Sequence, residues 1–560
     1  MRIFTQFCCL LIACLLGPLL SSHGQVWQSA MALPTAGGSS KVGDMIADGT
    51  GGYVVAGDFS GTLTLGSFTL TSTSNDIFVA RLSAAGVWTQ ALQAGGAGTR
   101  TVRALARDLN GGIVVAGMFE GATATIGSVT LTNASTQSTT SPDMFVARLS
   151  AAGQWTQAVQ AGGPSIDSAT DLVVNPTNGT ATVVGSFVGG TCTFGTRTLT
   201  GASSNALFVA RLNTAGTWTQ AVGVVSSGAP NGASGVALDA AGNAVISGYR
   251  FGGGSVQFGS ISLSSASTVA FVARLSVAGT WTQAVQATTT GGFVAGGPIA
   301  VDANDNVVVA GNFRNGPASF GPYTLTYVPD FDNMFVARLS SAGVWTQAAQ
   351  VADCGRSFPN SLSLAADGSV WVAGQFGSPL ARFGTTTLTN PSTTPIPPST
   401  ALTVDVFVAR LSAAGSWTYA AQAGGLNDDY PTAVLLDGSR VLVAGTFGPA
   451  PASFGALTLT TPANSAGFVA GLGGGILPTT TAAAAATLTL APNPATTATR
   501  LTLPADPAPR LVQLLDAMGR EVRHQPVPPN ATVAELSLTG LATGVYLVRC
   551  GAATKRLVLE

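Results

Sequence analysis

Histidine, the residue type most often used for acid–base and metal chemistry, is nearly missing from this chain. The only two histidines among the 560 residues are His23 and His524, one near each end. Ser–His–Asp catalysis, Cys–His catalysis and histidine-based zinc sites all require an imidazole. We therefore predict no catalytic residue and no metal site in the long middle of the chain, and we expect no cofactor.

Carboxylates that lie beside aromatic side chains are the next candidates for a functional site. They cluster in three stretches, at 327–332, 356–358 and 428–430. Aromatic rings can stack on a sugar or anchor a protein partner, whereas the plainer alternative is loop packing and turn capping. The candidate ligand-binding residues are Tyr327, Asp330, Phe331, Asp332, Arg356, Phe358, Asp428, Asp429 and Tyr430.

The same carboxylates leave one catalytic alternative open. Glycoside hydrolysis needs two carboxyl groups on either side of the scissile bond. Asp330 with Asp332 and Asp428 with Asp429 are the candidate pairs. Nearness in sequence is weak evidence that two carboxyl groups face one substrate, so binding without catalysis is favoured.

These stretches belong to a sequence that repeats itself. The pentapeptide Phe-Val-Ala-Arg-Leu recurs at intervals of 61 to 72 residues, and its seventh copy has Gly471 in place of Arg. A self-similar period of this length is typical of a repeat architecture. The copies begin at Phe78, Phe145, Phe208, Phe271, Phe335, Phe407 and Phe468.

The six arginines of the pentapeptide could be read as an anion-binding ring. Repetition at one strand position favours a structural role instead, since arginine covers apolar surface and forms forked hydrogen bonds. We predict that each arginine either pairs with the aspartate two residues before the phenylalanine or covers a neighbouring unit. The aspartates in question are Asp76, Asp143 and Asp405.

Each repeat contains four predicted strands. Strand A ends at an Asp/Gly turn, strand B ends in Gly-x-Phe, strand C is the pentapeptide, and strand D begins with Trp. A small hairpin with Gly at its turn separates B from C. Short alternating strands with glycine turns predict an all-β fold.

The number of strands predicts a closed ring. Seven A–B–C sets are present, six of them are followed by a D strand, and one spare D strand stands around Trp27. The economical arrangement is a seven-bladed β-propeller over residues 25–472, with its last blade completed by the N-terminal strand in a velcro closure. A closed ring leaves only short, protected strand edges.

Strand parity predicts which face binds. The A–B and C–D turns lie on one face and are short and uniform, whereas the B–C and D–A connections lie on the other and vary in length. Variable loops on a rigid scaffold commonly carry recognition. The candidate binding residues all fall in or beside these variable connections.

The repeat also resembles a known family. Gly-Asn-x-Val-x-x-Gly at 242–248 and Asp-x-Phe-Val-Ala-Arg-Leu at 405–411, followed by a turn to Trp, are similar to the SBBP-type β-propeller repeat of bacterial secreted proteins. The resemblance covers about residues 25–472. It implies the architecture and a secreted location, but no common activity.

The N-terminus predicts a secretory signal peptide over residues 1–24. Arg2 precedes the apolar run 7–20, and small residues precede a cleavage point between Gly24 and Gln25. Lipidation at Cys14 is a minority alternative. No other stretch is long and apolar enough for a membrane span. Outside the leader, three widely spaced cysteines predict isolated thiols rather than a disulfide framework: Cys192, Cys354 and Cys550.

After a low-complexity linker at 473–486, residues 487–560 predict a small Ig-like antiparallel β-sandwich. This tail resembles the C-terminal sorting domain of type IX secretion. The resemblance implies transfer through the periplasm and across the cell outer membrane by the type IX machinery, to the cell surface or the medium. The matching residues include Pro492, Asn493, Pro494, Gly519, Gly544, Tyr546, Lys555 and Arg556.

Charge narrows the class of partner. The net charge is −1 and charged residues make up 9% of the chain, so nucleic acid is not an expected ligand. We expect a monomeric, secreted or cell-surface protein that binds an extracellular glycan or protein without catalysis. Two alternatives stay open: a structural surface or matrix component without a specific ligand, and a carboxylate-dependent carbohydrate-active enzyme.

Overall fold

The computed structural model describes residues 26–135, 141–201, 205–226, 231–328, 332–392, 403–438, 440–473, 489–503, 510–516, 521–550 and 553–560. The predicted signal peptide, the cleavage point at Gly24 and Gln25, and nearly all of the predicted linker lie outside these residues. The chain divides into two compact units at residues 479 and 480.

Regular structure in the described residues is β-strand apart from a short 3-10 turn at Leu109–Gly111. Within the described ranges, none of the helical structure has the length and apolar character that a membrane crossing requires. The all-β prediction is confirmed.

The described part of the first unit contains seven antiparallel sheets that carry strands in the order A–B–C–D, here sheets 1 to 7. Six of them have four strands, and sheet 1 has a fifth short strand, Thr35–Ala36. The A strands are Ser40–Ala47, Arg100–Arg107, Asp167–Val174, Asn231–Leu238, Phe293–Val301, Phe358–Leu364 and Tyr430–Asp437. The B strands are Tyr53–Leu65, Ile113–Phe119, Ala181–Phe187, Ala244–Arg250, Val307–Arg314, Val370–Phe376 and Arg440–Phe447. The C strands are Phe68–Leu82, Asp143–Leu149, Ala206–Leu212, Val269–Leu275, Asn333–Leu339, Asp405–Leu411 and Ala466–Leu472. The D strands are Trp88–Ala94, Trp155–Ala161, Trp218–Gly223, Trp281–Gln286, Trp345–Gln350, Trp417–Ala423 and, for sheet 7, Trp27–Leu33.

A small hairpin lies between strands B and C of each sheet. In sheet 1 the B and C strands themselves extend into it, and Thr35–Ala36 pairs with its edge. In sheets 4 and 5 the edge is paired by Val225–Ser226 and Thr288–Thr289. The separate hairpins are Thr123–Ile126 with Val129–Thr132, Thr191–Phe194 with Arg197–Thr200, Gly254–Phe258 with Ile261–Ser265, Ala318–Phe320 with Tyr323–Leu325, Leu380–Phe383 with Thr386–Thr389, and Ala452–Phe454 with Leu457–Leu459.

The first and last sheets of the unit meet. Trp27–Leu33 pairs antiparallel with Ala466–Leu472, so the N-terminal strand is the outer strand of sheet 7. An apolar cluster lies between each two consecutive sheets, and another lies between sheets 7 and 1, where Leu33 packs with Phe78 and Leu82. The sheets therefore follow one another in a β-propeller-like arrangement.

The Gly-x-Phe ending of strand B has a packing cause. A Cβ on Gly311 would lie 2.1 Å from the carbonyl oxygen of Ala295 in strand A and 2.5 Å from the ring of Phe335 in strand C. Real Cβ contacts are not this short, so only glycine fits. The same close approach occurs at the matching glycine of the other six B strands: Gly57, Gly117, Gly185, Gly248, Gly374 and Gly445.

The tryptophan of strand D packs against the hairpin of its own sheet. In sheet 3 the Trp218 ring is 5.2 Å from the Phe194 ring in an edge-on geometry, and Phe194 is 5.0 Å from Phe208 of strand C. Such pairs stabilise a fold beyond their area burial. The repeated Phe-Gly hairpin and Trp strand thus form one aromatic group.

The arginines of strand C contradict one part of the sequence prediction. Arg148 pairs at 2.5 Å with Asp108 in its own A–B turn, not with Asp143. The physical reason is position: Arg148 is next to last in strand C and lies at the A–B end, whereas the aspartate before the phenylalanine lies at the opposite end. Pairing with Asp76, Asp143 and Asp405 is therefore wrong.

The other part of that prediction, contact with a neighbouring unit, is confirmed. Arg148 also donates a 2.8 Å hydrogen bond to the carbonyl of Gly179 in the A–B turn of sheet 3. Equivalent bonds to the turn of the next sheet are made by Arg81, Arg211, Arg274 and Arg338. The arginines thus link consecutive sheets on the face that carries the uniform turns.

The second unit consists of two antiparallel sheets. One contains Thr489–Ala491, Ala498–Thr502 and Val533–Ser537, and the other contains Glu521–Val527, Arg510–Leu515, Gly544–Cys550 and Ala553–Leu559. A single buried apolar cluster that includes Leu501 and Leu536 from one sheet and Leu514 and Val548 from the other joins them. The unit is a small two-sheet β-domain.

Candidate functional site

A cavity of about 770 Å³ opens where the A strands of sheets 7, 1 and 2 lie side by side. It lies on the side of the sheets that carries the B–C and D–A connections, because its wall includes the D–A loop of sheet 7. The polar side chains of the wall are Lys41, Asp58, Asn75, Thr99, Thr101, Arg103, Asn427, Asp428, Tyr430, Thr432, Thr446, Asn464 and Ser465.

Two cations and a carboxylate lie on one side of the cavity. Asp58 is nearly buried, and burial raises its pKa despite the opposing effects of a hydrogen bond from Asn75 and the charges of Lys41 and Arg103. The Asn75 amide donates 3.1 Å hydrogen bonds both to Asp58 and to the carbonyl of Arg100. This fixes the carboxyl group between sheets 1 and 2.

Tyr430 and Asp428 form the opposite side. The Tyr430 side chain is 37% exposed, and burial together with a hydrogen bond to Asp428 raises its pKa to about 12. Its hydroxyl therefore stays protonated at neutral pH. The Asp428 carboxylate accepts a 2.9 Å hydrogen bond from the Val404 amide, which fixes the D–A loop against strand C of sheet 6.

Local backbone geometry aims these side chains. Every A strand carries a β-bulge near its middle, for example between Val102 and Ala104 in sheet 2 and between Val42 and Asp44 in sheet 1. A bulge inserts one residue and re-aims a side chain. Arg103 is the inserted residue of sheet 2, and its guanidinium is thereby available to the cavity.

The structure brings together only part of the predicted site. Asp428 and Tyr430 line the cavity, and Arg356 is near enough that its charge acts on the pKa of Tyr430. Asp429 is buried and accepts hydrogen bonds from the amides of Gly425 and Gly448, so it caps the D–A loop and does not line the cavity.

The remaining predicted residues are elsewhere in the first unit. Tyr327 packs on the apolar cluster between sheets 4 and 5. Asp332 accepts a 3.1 Å hydrogen bond from Asn312 and lies 3.8 Å from Arg314. Phe358 is half-buried at the start of strand A of sheet 6. Asp330 and Phe331 lie outside the described residues.

Lys41, Asp58, Asn75 and Arg103 were not singled out from the sequence. They lie in strands A, B and C and belong to no motif, so residue type alone did not distinguish them from other surface positions. The bulge in strand A is the only local signal, and it shows itself in the hydrogen-bond register rather than in the sequence.

The predicted sorting-domain residues have structural roles in the second unit. The Asn493 side chain donates to the carbonyl of Arg556 at 2.7 Å and accepts from the amide of Val558 at 2.8 Å, so it binds the last strand as a neighbouring backbone would. The Tyr546 hydroxyl donates to the carbonyl of Ala542 at 2.7 Å. Gly519 lies outside the described residues. Pro492, Pro494, Gly544 and Lys555 lie on or beside the same strands.

Residues 489–559 match the family model of the secretion system C-terminal sorting domain. This match carries the type IX assignment of the tail. It implies export by the type IX machinery and a location at the cell surface or outside the cell. No curated protein shows a significant sequence match to the chain.

Several solved structures are similar in fold at low identity. A protein from Lactobacillus plantarum is 12% identical, with a TM-score of 0.37, covering 86% of this chain and 99% of that one. A PL25 ulvan lyase is 11% identical, with a TM-score of 0.41 and coverages of 75% and 93%. The extracellular domains 1–2 of Drosophila Semaphorin 1b are 9% identical, with a TM-score of 0.37 and coverages of 81% and 88%.

Proposed function

We propose that this protein is a secreted or cell-surface binding protein that takes a glycan ligand without catalysis. Its first unit is a monomeric seven-bladed β-propeller of SBBP-type repeats closed by the N-terminal strand, and its tail is an Ig-like sorting domain. An N-terminal signal peptide delivers the chain to the periplasm, and the type IX machinery carries it across the outer membrane. The match of residues 489–559 to a sorting domain supports this route.

The observation that carries the binding proposal is the chemistry of the cavity. A half-exposed tyrosine ring, Tyr430, faces a space of about 770 Å³ that also contains Lys41, Arg103, Asp58 and Asp428. An aromatic face beside donors and acceptors of both signs suits a sugar, whose ring stacks and whose hydroxyl groups both donate and accept. The balanced charge favours a neutral oligosaccharide over a polyanion.

The test is a glycan array probed with the secreted full chain. We expect binding to a small set of oligosaccharides that Tyr430→Ala abolishes. Tyr323→Ala is the matched control, because Tyr323 is equally exposed at 36% but lies in the hairpin of sheet 5, outside the cavity wall. Equal loss in both variants, or no glycan bound by the wild-type chain, would overturn the proposal and leave a protein ligand or a structural surface role.

A carbohydrate-active enzyme is the second candidate, and one specific observation favours it. Asp58 and Asp428 share the same cavity, and the raised pKa of Asp58 suits a general acid. The measurement is release of reducing ends from the oligosaccharides that bind. Release that Asp58→Asn removes while binding persists would establish the enzyme; binding without release would leave the non-catalytic role.

A further inference from the structure

Three D–A loops of the first unit share one sequence pattern. They differ in the charge of one residue, which is positive in one loop and negative in the other two. After strand D the chain continues Ala-Gly-Gly, and four residues beyond the second glycine comes Arg100 in sheet 2, Asp167 in sheet 3 and Asp429 in sheet 7. In each case strand C of the preceding sheet carries an aspartate two residues before the phenylalanine of the pentapeptide, and this aspartate lies against the first glycine of the pair. These aspartates are Asp76, Asp143 and Asp405.

In the first loop an arginine side chain of the loop itself supplies the positive charge beside the aspartate. The Arg100 guanidinium lies 3.7 Å from the Asp76 carboxylate and is almost completely buried. It also donates hydrogen bonds of 2.6 to 3.0 Å to four main-chain carbonyls, those of Gly96, Ala97, Gly98 and Thr123. An oxygen-lined space between sheets 1 and 2 is therefore neutralised by the chain itself.

In the other two loops a second aspartate, Asp167 or Asp429, stands at the sequence position of Arg100. An ideal Cβ on Gly424 would lie 2.3 Å from an oxygen of Asp405 and 3.0 Å from an oxygen of Asp429, so both carboxylates border the space above one glycine. Likewise the Asp143 carboxylate lies 2.2 Å from the Cβ position of Gly162, and Asp167 bonds the amide of Gly163.

These carboxylates are buried and under-bonded. Asp405 is 0% exposed, and among the described residues neither of its oxygens has a hydrogen-bond partner. Asp143 and Asp167 are also fully buried, and one oxygen of each is without a partner in the same part of the structure. A buried carboxylate without a partner costs free energy, and a bound cation removes that cost.

The Thr123 carbonyl, which accepts a hydrogen bond from Arg100, has a counterpart in each of the other two loops. The amides of Gly95, Gly162 and Gly424 bond Thr125, Thr193 and Ser453 in that order, which aligns the Thr123 carbonyl with those of Thr191 and Pro451. The Thr191 oxygen lies 2.0 Å from the Cβ position of Gly163, and the Pro451 oxygen lies 2.3 Å from that of Gly425. The carbonyls of Thr191 and Pro451 are therefore the counterparts of the Thr123 carbonyl that Arg100 binds in sheet 2.

We propose that Asp405 with Asp429, and Asp143 with Asp167, each hold one divalent cation of the calcium class between neighbouring sheets. No group of three or more His, Cys, Asp or Glu side chains in the described ranges is arranged for a metal. The remaining ligands are therefore main-chain carbonyls and water, a set that Ca²⁺ accepts because it prefers hard oxygen donors in flexible geometry. The cations replace, at these two positions, the guanidinium that sheet 2 supplies from Arg100.

The experiment is equilibrium dialysis of the EDTA-treated full chain against ⁴⁵Ca²⁺ at pH 7.5, with thermal unfolding in parallel. We expect two Ca²⁺ bound per chain and a rise of several degrees in the unfolding temperature. Asp405→Asn should remove one Ca²⁺, and Asp143→Asn combined with it should remove both. Asp76→Asn is the matched control, because its site contains Arg100, and it should leave both cations bound.

A second kind of variant, in which an arginine replaces one aspartate of the pair, tests the proposal even if an asparagine variant fails to fold. Asp429→Arg copies the arrangement of sheet 2, and it should lower the binding to one Ca²⁺ while the chain stays folded without calcium. Absence of Ca²⁺ binding by the wild-type chain would overturn the proposal. Binding of two Ca²⁺ that persists in the Asp143/Asp405 double variant would overturn it as well.

Discussion

The indole nitrogen of Trp27 donates a 2.7 Å hydrogen bond to the carbonyl oxygen of Gln422, although 395 residues separate the two. The same bond links Trp417 to Gln350 and Trp218 to Gln160, each from the D strand of one sheet to the D strand of the sheet before. The N-terminal strand therefore occupies the place of a seventh D strand in its packing as well as in its pairing.

This relationship predicts a large effect of Trp27→Ala on stability. Trp27 is buried between sheets 6 and 7 and meets the Phe454 ring at 5.2 Å. Removing it should lower the free energy of unfolding by about 3–5 kcal/mol, because a core cavity forms and apolar contacts are lost. Chemical denaturation of the purified chain measures this change.

The adjacent residue supplies the control for that measurement. Val26 is 59% exposed, so Val26→Ala should change stability by less than about 0.5 kcal/mol. Deleting residues 25–36 should reduce the cooperativity of unfolding by exposing the edge of sheet 7. Unchanged stability in the deletion would rule out the closing role of this strand.

Two arginines of strand C differ in burial, and this difference predicts unequal losses of stability when each is replaced by alanine. Arg274 and its partner Asp239 are 11% and 2% exposed, whereas Arg410 and Asp367 are 38% and 57% exposed. Arg274→Ala should cost about 3–5 kcal/mol, because it leaves the buried Asp239 carboxylate without its counter-ion. Arg410→Ala should cost about 0–1 kcal/mol, because water screens that pair. Urea unfolding of both variants tests the contrast, and equal costs would contradict it.

Buried carboxyl groups predict that the calcium-free chain is more stable in mild acid. Burial, with the charge of Asp429 second, raises the pKa of Asp405 to about 8, and burial raises the pKa of Asp143 to about 6 and of Asp44 to about 7. Between pH 4 and 8 these three groups bind more protons in the folded chain than in the unfolded chain, so their contribution to stability falls as the pH rises.

The measurement is the unfolding temperature in EDTA at pH 5 and pH 8. We expect the higher value at pH 5. Each unit by which folding raises a pKa corresponds to about 1.4 kcal/mol of stability that depends on pH. Replacing the aspartate with asparagine, which does not titrate, should therefore reduce the dependence of the unfolding temperature on pH. The Asp143→Asn and Asp405→Asn variants should show a smaller difference between the two pH values than Asp76→Asn, and a steeper profile in them would contradict the assignment.

Removal of the tail predicts a defect in export. A chain that ends at residue 486 retains all seven sheets of the first unit, so we expect it to fold and to accumulate in the periplasm. Fractionation of cells that carry the full and shortened chains, with circular dichroism of the purified products, measures both outcomes. Normal surface display of the shortened chain would contradict the role that the sorting-domain match implies.

Much of the architecture followed from the sequence because its causes are local. Alternating residues, turn glycines and the repeated pentapeptide predict strands without any long-range information, and the spare Trp strand predicts where the first residues pair. Even the invariant glycine of strand B could be noted, although its cause, the close approach of a carbonyl and a phenylalanine ring, needed coordinates.

The candidate site followed only in part, because it depends on which sheets become neighbours. Tyr430 and Asp428 could be selected by residue type, but Lys41 and Arg103 are more than 300 residues away in the chain and join them only when sheet 7 meets sheets 1 and 2. The arginine pairing was wrong for a related reason, since strand direction sets which turn a side chain reaches.

The sequence by itself determined the strand content, the repeat and the sorting tail, because periodicity and turn chemistry act over a few residues. Only the tertiary structure decided that Asp405 lies beside the Asp429 carboxylate while Asp76 lies beside the Arg100 guanidinium. The physical reason is that a carboxylate becomes buried, and comes close to oxygen atoms from distant parts of the chain, only when the sheets pack together. The spacing of residues along the chain does not predict either event.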